Sequence, residues 1–243
     1  MADATARIAL HQHLDSLRPD WEKNITIMEP VPGEPALLYH ISKDPDIKEF
    51  IPQVSARTAI KEDKSIPRIC TAHTIWGCIK GYSAVVFDFN QEDDKTFRGG
   101  YQIYGLPYEL CLRPSKRLLP DVDATEERWL VGYDADHLQI KPERLGKFFL
   151  RTITTTKVGK GKHLDVSLYL EVLPGYGSLR IHPELSLDAG YWKIEVVGMR
   201  HEWDWPESNA VTVTPITKSD YLAMKKSIAS TLSFESVPVS ARW

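Results

Sequence analysis

Short apolar blocks separated by turn residues set the rhythm of this chain. Leu37-Leu38-Tyr39-His40-Ile41 follows a stretch broken by Pro30, Pro32, Gly33 and Pro35, and it predicts a short buried strand. Ile66 to Ala72 predicts a second strand. Thr74 can then cap a helix whose Ile75, Cys78, Ile79 and Tyr82 share one face. Ala84 to Phe89 predicts a third strand and Tyr101 to Leu106 a fourth, with Arg128 to Val131 leading into another. Val166 to Val172 and Tyr191 to Val197 alternate with a period near two and predict strands closed by the turns Pro174-Gly175-Tyr176-Gly177 and Asp188-Ala189-Gly190. Helices are expected at both ends. One covers 3–17, with Ile8, His11, Leu14 and Leu17 at three-residue steps and Arg18-Pro19 as the stop; the other covers 219–232, with Ser219 as its cap.

The polar stretches fit between these elements. Residues 53–66 carry mixed charge and read as an exposed loop, and Asn90 to Gly100 as a hairpin or mobile loop. Thr152–Lys162, rich in Thr, Gly and Lys, reads as a joint, dividing the chain into 1–150 and a β-rich 151–243 with a C-terminal helix that can also pack as one domain with the first part. The pattern gives an α+β fold: a split, mainly antiparallel β core with short helices, a second β-rich portion and a C-terminal helix.

Bulk composition narrows the function classes. The chain has 243 residues, 42% hydrophobic and 26% charged, an ordinary balance for a folded protein. Its formal net charge of -3 argues against a general polyanion binder, so there is no strong nucleic-acid signature. No apolar run approaches the ~20 residues of a membrane span. The first residues show no secretory pattern, and Cys70, Cys78 and Cys111 are an odd, sparse set, so reduced thiols in a cytoplasm are expected. Neither a GxxxxGK nor a GxGxxG loop is present, nor a GxSxG elbow.

Candidate chemistry collects on the predicted strands. His40 at a strand end can hold a ribose hydroxyl or donate to a phosphate; the plainer alternative is a His satisfied by a backbone carbonyl. Glu127 lies two residues before Trp129, so an extended backbone puts both on one face and favours Glu127 over Glu126 as the inward carboxylate. Such a carboxylate can stabilise positive charge developing on a sugar. Arg68 can grip a diphosphate, or else pair with Asp63 or Glu62. Cys70, His73 and Cys78 are spaced C-x2-H-x4-C, which lacks a fourth ligand, and buried thiols are expected there rather than a metal. His201, Trp192, Trp203 and Trp205 form an aromatic group that suits a core, an edge or a partner surface.

Leu38-Tyr39-His40-Ile41-Ser42 with Phe50-Ile51-Pro52 resembles the first strand and turn of ADP-ribosyltransferase-like domains. Pro67 to Ala72 and the helix through Ile75, Cys78 and Ile79 resemble the next strand and helix in small uncharacterised bacterial and phage proteins. Asp121-Val122, followed by Thr125-Glu126-Glu127-Arg128-Trp129, is similar to their third segment. The resemblance covers about residues 37–133. It implies that NAD is the substrate, that Tyr39, His40, Ser42 and Arg68 form its binding side, and that Glu127 is the catalytic acid. The chain departs from the family in two ways: the middle aromatic of the His-Tyr-Glu trio has only Tyr82 and Tyr101 as candidates, and Glu127 is not in a Glu-x-Glu pair. The implied activity is cleavage of NAD and transfer of ADP-ribose to a macromolecular target. The alternative is a non-catalytic binding protein, such as a phage-encoded inhibitor of a host defence protein, using the same pocket or the Trp-rich 192–205 surface.

Overall fold

A computed structural model describes residues 4–34, 36–54, 62–81, 97–133, 139–158, 161–200 and 211–232. The expected strand 84–89, Tyr82 and the aromatic residues His201, Trp203 and Trp205 lie outside them. The described chain is of the α+β class and rich in strand, and every strand pairing in it is antiparallel. None of its helices is long and apolar enough to cross a membrane.

Ten strands form one sheet in the order β1-β5-β6-β3-β2-β4-β7-β8-β11-β12. Their ranges are β1 Ile25–Met28, β2 Leu37–Ser42, β3 Ile69–Ala72, β4 Phe97–Pro107, β5 Cys111–Pro114, β6 Glu127–Leu130, β7 Glu143–Val158, β8 Gly161–Val172, β11 Gly190–Arg200 and β12 Val211–Pro215. β9 (Leu179–His182) and β10 (Leu185–Leu187) form a separate hairpin. The helices are α1 (Ala4–Leu17), α2 (Ile75–Gly81), α3 (Val122–Thr125) and α4 (Lys218–Leu232).

Alternation sorts the strands into two faces. Ile41, Ile103, Phe148, Leu150, Leu168, Leu170 and Ile194 share one buried face with Ile75, Trp76 and Ile79 of α2 and Leu179 and Ile181 of β9. The opposite face of β7 and β8 presents Phe149 and Tyr169, stacked at 5.0 Å, and α4 lays Tyr221 against them. Thr217 caps α4: its hydroxyl accepts from Asp220 N–H at 3.1 Å and Asp220 returns to Thr217 N–H. Ser219, the expected cap, lies inside the helix, because the reciprocal Thr-x-x-Asp arrangement satisfies two backbone donors at once.

Two further expectations are corrected. α1 buries Ala6, Leu10 and Leu14, while Ile8 is 59% exposed. Steps of three residues fall short of the 3.6-residue turn and drift around the helix, whereas steps of four stay closer to one stripe. Thr152–Lys162 is not a joint: its described residues belong to β7 and β8, which pair out to Val158↔Gly161. β-Branched Thr suits a pleated strand better than a hinge.

Gly146 of β7 is a position that no other residue fits. A Cβ there would lie 2.2 Å from the Glu171 carbonyl oxygen across the strand pair. Gly146→Ala should cost about 1–3 kcal/mol, read as a lower urea midpoint. Gly100→Ala, with nothing within 4 Å of the added methyl, should stay within about 0.5 kcal/mol of wild type.

Candidate active site

β2 and β3 share one paired position, Tyr39↔Ala72, as β5 and β6 do at Leu112↔Trp129. A cavity of about 70 Å³ lies beside the first of these. It is lined by His40, Cys70, Thr71, Cys78, Thr125 and Glu127, with Gly77 and Gly81 of α2. The register Tyr39↔Ala72↔Glu127 puts Glu127 on the α2 face and His40, one residue on, on the other. The cavity therefore takes Glu127, Cys70 and Cys78 from one face and His40 and Thr71 from the other. His40 and Glu127 thus border one cavity from opposite faces of the sheet rather than standing side by side on one surface.

Two glycines one helical turn apart make room for it. A Cβ on Gly77 would lie 2.7 Å from the Thr125 carbonyl oxygen, so α2 can approach the end of α3 this closely only with glycine there. A Cβ on Gly81 would sit in ordinary contact, 3.7 Å from Glu127 Oε2. The Gly-x-x-x-Gly spacing is the sequence signal for this close approach and went unread, as did Thr125; Cys70 and Cys78, expected as buried thiols, prove to line the cavity.

Glu127 is 8% exposed. The Trp129 indole N–H donates to its Oε1 at 2.8 Å, and the Cys70 thiol donates to it as well. Burial raises the carboxyl's pKa above the ordinary value, and these two donors only partly offset that. Burial likewise raises the pKa of both cavity thiols, Cys70 and Cys78, so neither is an activated nucleophile. All three cysteines are free.

His40 Nδ1 lies 2.9 Å from the Cys70 carbonyl oxygen. A carbonyl only accepts, so Nδ1 carries the proton and Nε2 is left as an acceptor. Burial lowers the pKa of His40, which favours this neutral form. The ring is further held edge-on to Phe50, with centroids 4.6 Å apart.

The other expected binding residues do not line this cavity. Arg68 is 3% exposed and is used inside the protein. Its Nη1 donates to the Asp63 and Ile66 carbonyls at 3.0 Å, its Nη2 pairs with Glu62, and its guanidinium lies 4.0 Å over the Trp129 ring. Its Nε is buried without an acceptor, and these contacts hold the side chain away from the cavity lining. Tyr39 points into the core beneath α2, where its hydroxyl accepts from Arg180 N–H at 3.1 Å. Ser42 Oγ accepts from Asp44 N–H in the turn after β2. Of the two candidates for the middle aromatic, Tyr101 is fully buried and stacked on Phe148.

The C-x2-H-x4-C residues do not converge on one point. Cys70 and Cys78 line this cavity, and His73 lines a second cleft. Glu62, Cys70 and Glu127 do bring ligand atoms within 4.8 Å of one another. Arg68 already engages Glu62, and Trp129 and Cys70 engage Glu127, so the trio forms an internal hydrogen-bond network.

Two variants test this electrostatic arrangement. Glu127 has a raised folded-state pKa, so the stability it contributes is complete below the unfolded carboxylate value of about 4.3 and is lost as pH rises through the folded value. Glu127→Gln does not titrate. Its melting temperature should therefore gain on wild type between pH 4 and pH 8, and a pH-independent difference would refute the raised pKa. Arg68→Leu removes the ion-pair partner of Glu62, whose side chain is 9% exposed, and should cost about 3–5 kcal/mol in urea unfolding, much of it recovered in the double variant with Glu62→Leu.

No family model matches the chain, and neither does any curated protein or solved structure, so the function has to be argued from the site's own chemistry.

Proposed function

We propose that the chain is an ADP-ribosyltransferase-like enzyme that splits the nicotinamide bond of NAD and passes ADP-ribose to a macromolecule. The observation that supports this reading is the cavity lined jointly by His40 and Glu127. In the proposed step the C–N glycosidic bond breaks and its electron pair leaves with the nicotinamide nitrogen, discharging the pyridinium. Glu127, ionised, faces the oxocarbenium charge left on the ribose. An acceptor nucleophile on the target forms the new bond to the anomeric carbon and gives up its proton. His40 accepts a ribose hydroxyl at Nε2 and holds the sugar in the ground state.

Size limits what enters. A cavity of about 70 Å³ holds on the order of five waters, against roughly 300–1,000 Å³ for pockets that enclose a drug-sized ligand. Only the nicotinamide end of NAD would enter, with the rest of the dinucleotide outside. The buried carboxylate also sets the direction of the pH profile: activity should rise as Glu127 ionises.

Calorimetry with NAD and a nicotinamide-release assay test the reading. Glu127→Gln should retain NAD binding and lose about 10²-fold or more in turnover, since a well-placed electrostatic group supplies roughly 3 kcal/mol of barrier lowering. His40→Ala should weaken binding instead. Absence of NAD binding by the wild type would overturn the enzyme and leave the non-catalytic binding protein as the better reading.

A further inference from the structure

A second, larger cleft of about 410 Å³ lies around the start of β6. Arg113, Arg128 and Arg180 line it, with His73, Glu34 and Glu126 among the other residues of its wall. Two of the three arginines are already paired. Arg180 holds Glu34 at 2.9 Å, and Arg113 lies 3.4 Å from Asp123, which Lys116 also holds at 2.8 Å.

Arg128 differs from both. It is only 9% exposed, and among the described residues no carboxylate lies within ion-pair distance of it. Its Nη1 donates to the backbone carbonyls of Glu126 and Glu127, each at 3.0 Å. Its Nε is buried without an acceptor. A guanidinium taken from water without a counter-ion is costly. This one sits in the wall of a cleft wide enough for a small molecule.

We infer that this cleft binds a phosphate group, free or carried on a small molecule, with Arg128 as its central donor and Arg113 and Arg180 at the rim. The planar fork of Arg matches a phosphate's oxygens. Glu126 selects among oxyanions. Its carboxylate stands in the same wall, where its Oε2 accepts only a long bond of 3.4 Å from Thr74. A phosphate that keeps an O–H near neutral pH can donate to that carboxylate; sulfate has no proton to give and is repelled. The inference is independent of NAD turnover, because it uses neither His40 nor Glu127.

Titration calorimetry with inorganic phosphate at fixed ionic strength tests it, with sulfate and acetate as parallel probes. Wild type should bind phosphate saturably and at least 10-fold more tightly than either competitor. Arg128→Gln should lose at least 10-fold in phosphate affinity, and Glu126→Gln should narrow the gap between phosphate and sulfate. Glu127→Gln should bind phosphate like wild type, even if NAD cleavage is lost or never present. Should Arg128→Gln fail to fold, the rim variants Arg113→Gln and Arg180→Gln carry the test, each with an expected loss of about 3-fold or more. Unsaturable binding, equal affinity for sulfate, or phosphate affinity unchanged in every arginine variant that folds would overturn the site.

Discussion

Trp129 and Arg68 hold together the part of the sheet that carries Glu127. The indole is fully buried: its face carries the Arg68 guanidinium at 4.0 Å, and its N–H holds Glu127 at 2.8 Å. Arg68 in turn gathers the Asp63 and Ile66 carbonyls and the Glu62 carboxylate. Asp63 extends the arrangement to Arg18, beyond the end of α1. A short polar loop is thus wound around one buried cation. A guanidinium stacked on an indole is worth about 2 kcal/mol or more once desolvated, and removing Arg68 also takes the ion-pair partner from Glu62. Glu127 therefore occupies a position fixed by this core, whatever the cavity holds.

The opening itself comes from an incomplete strand pairing. β2 is paired to β4 along its whole length, from Leu37↔Pro107 to Ser42↔Gln102, but to β3 only at Tyr39↔Ala72. Backbone groups left unpaired in a sheet need other partners. The bond from His40 Nδ1 to the Cys70 carbonyl supplies one, spanning the two strands where a ladder bond is absent. The same bond fixes the tautomer of His40. A structural requirement and a chemical one are met by one contact, which is why the satisfied-His and ligand-binding readings of His40 do not exclude each other.

Local patterns were legible where burial is one-sided. The alternation in Val166–Val172 and Tyr191–Val197, the apolar run of β2 and the Thr74 cap, whose hydroxyl accepts from Gly77 N–H at 3.0 Å, each depend on neighbours in sequence. What was not legible depends on tertiary contact. β1 and β12 are short strands at the sheet edges, with weak alternation of their own. Of the two readings of Arg68, the pairing with Glu62 is the one the structure shows, whereas nothing local shows that Trp129, far along the sequence, will lie beneath the guanidinium. Glu127 was correctly preferred over Glu126 as the inward carboxylate, by the simple rule that residues two apart on a strand share a face.

That rule has a second consequence. Glu126, Glu127 and Arg128 are consecutive, yet they serve two different concavities. Glu127 faces α2 beside Trp129, while Arg128 pairs with Thr71 on the other face. Glu126 stands just before the strand in a left-handed conformation, with φ of 54°, which costs a non-glycine residue roughly 1–2 kcal/mol. Its carbonyl and that of Glu127 both accept from Arg128 Nη1, so the strained turn and the buried cation hold each other in place. The pleat thus sends the side chains of Glu127 and Arg128 to different concavities, while the Arg128 guanidinium braces the backbone between them.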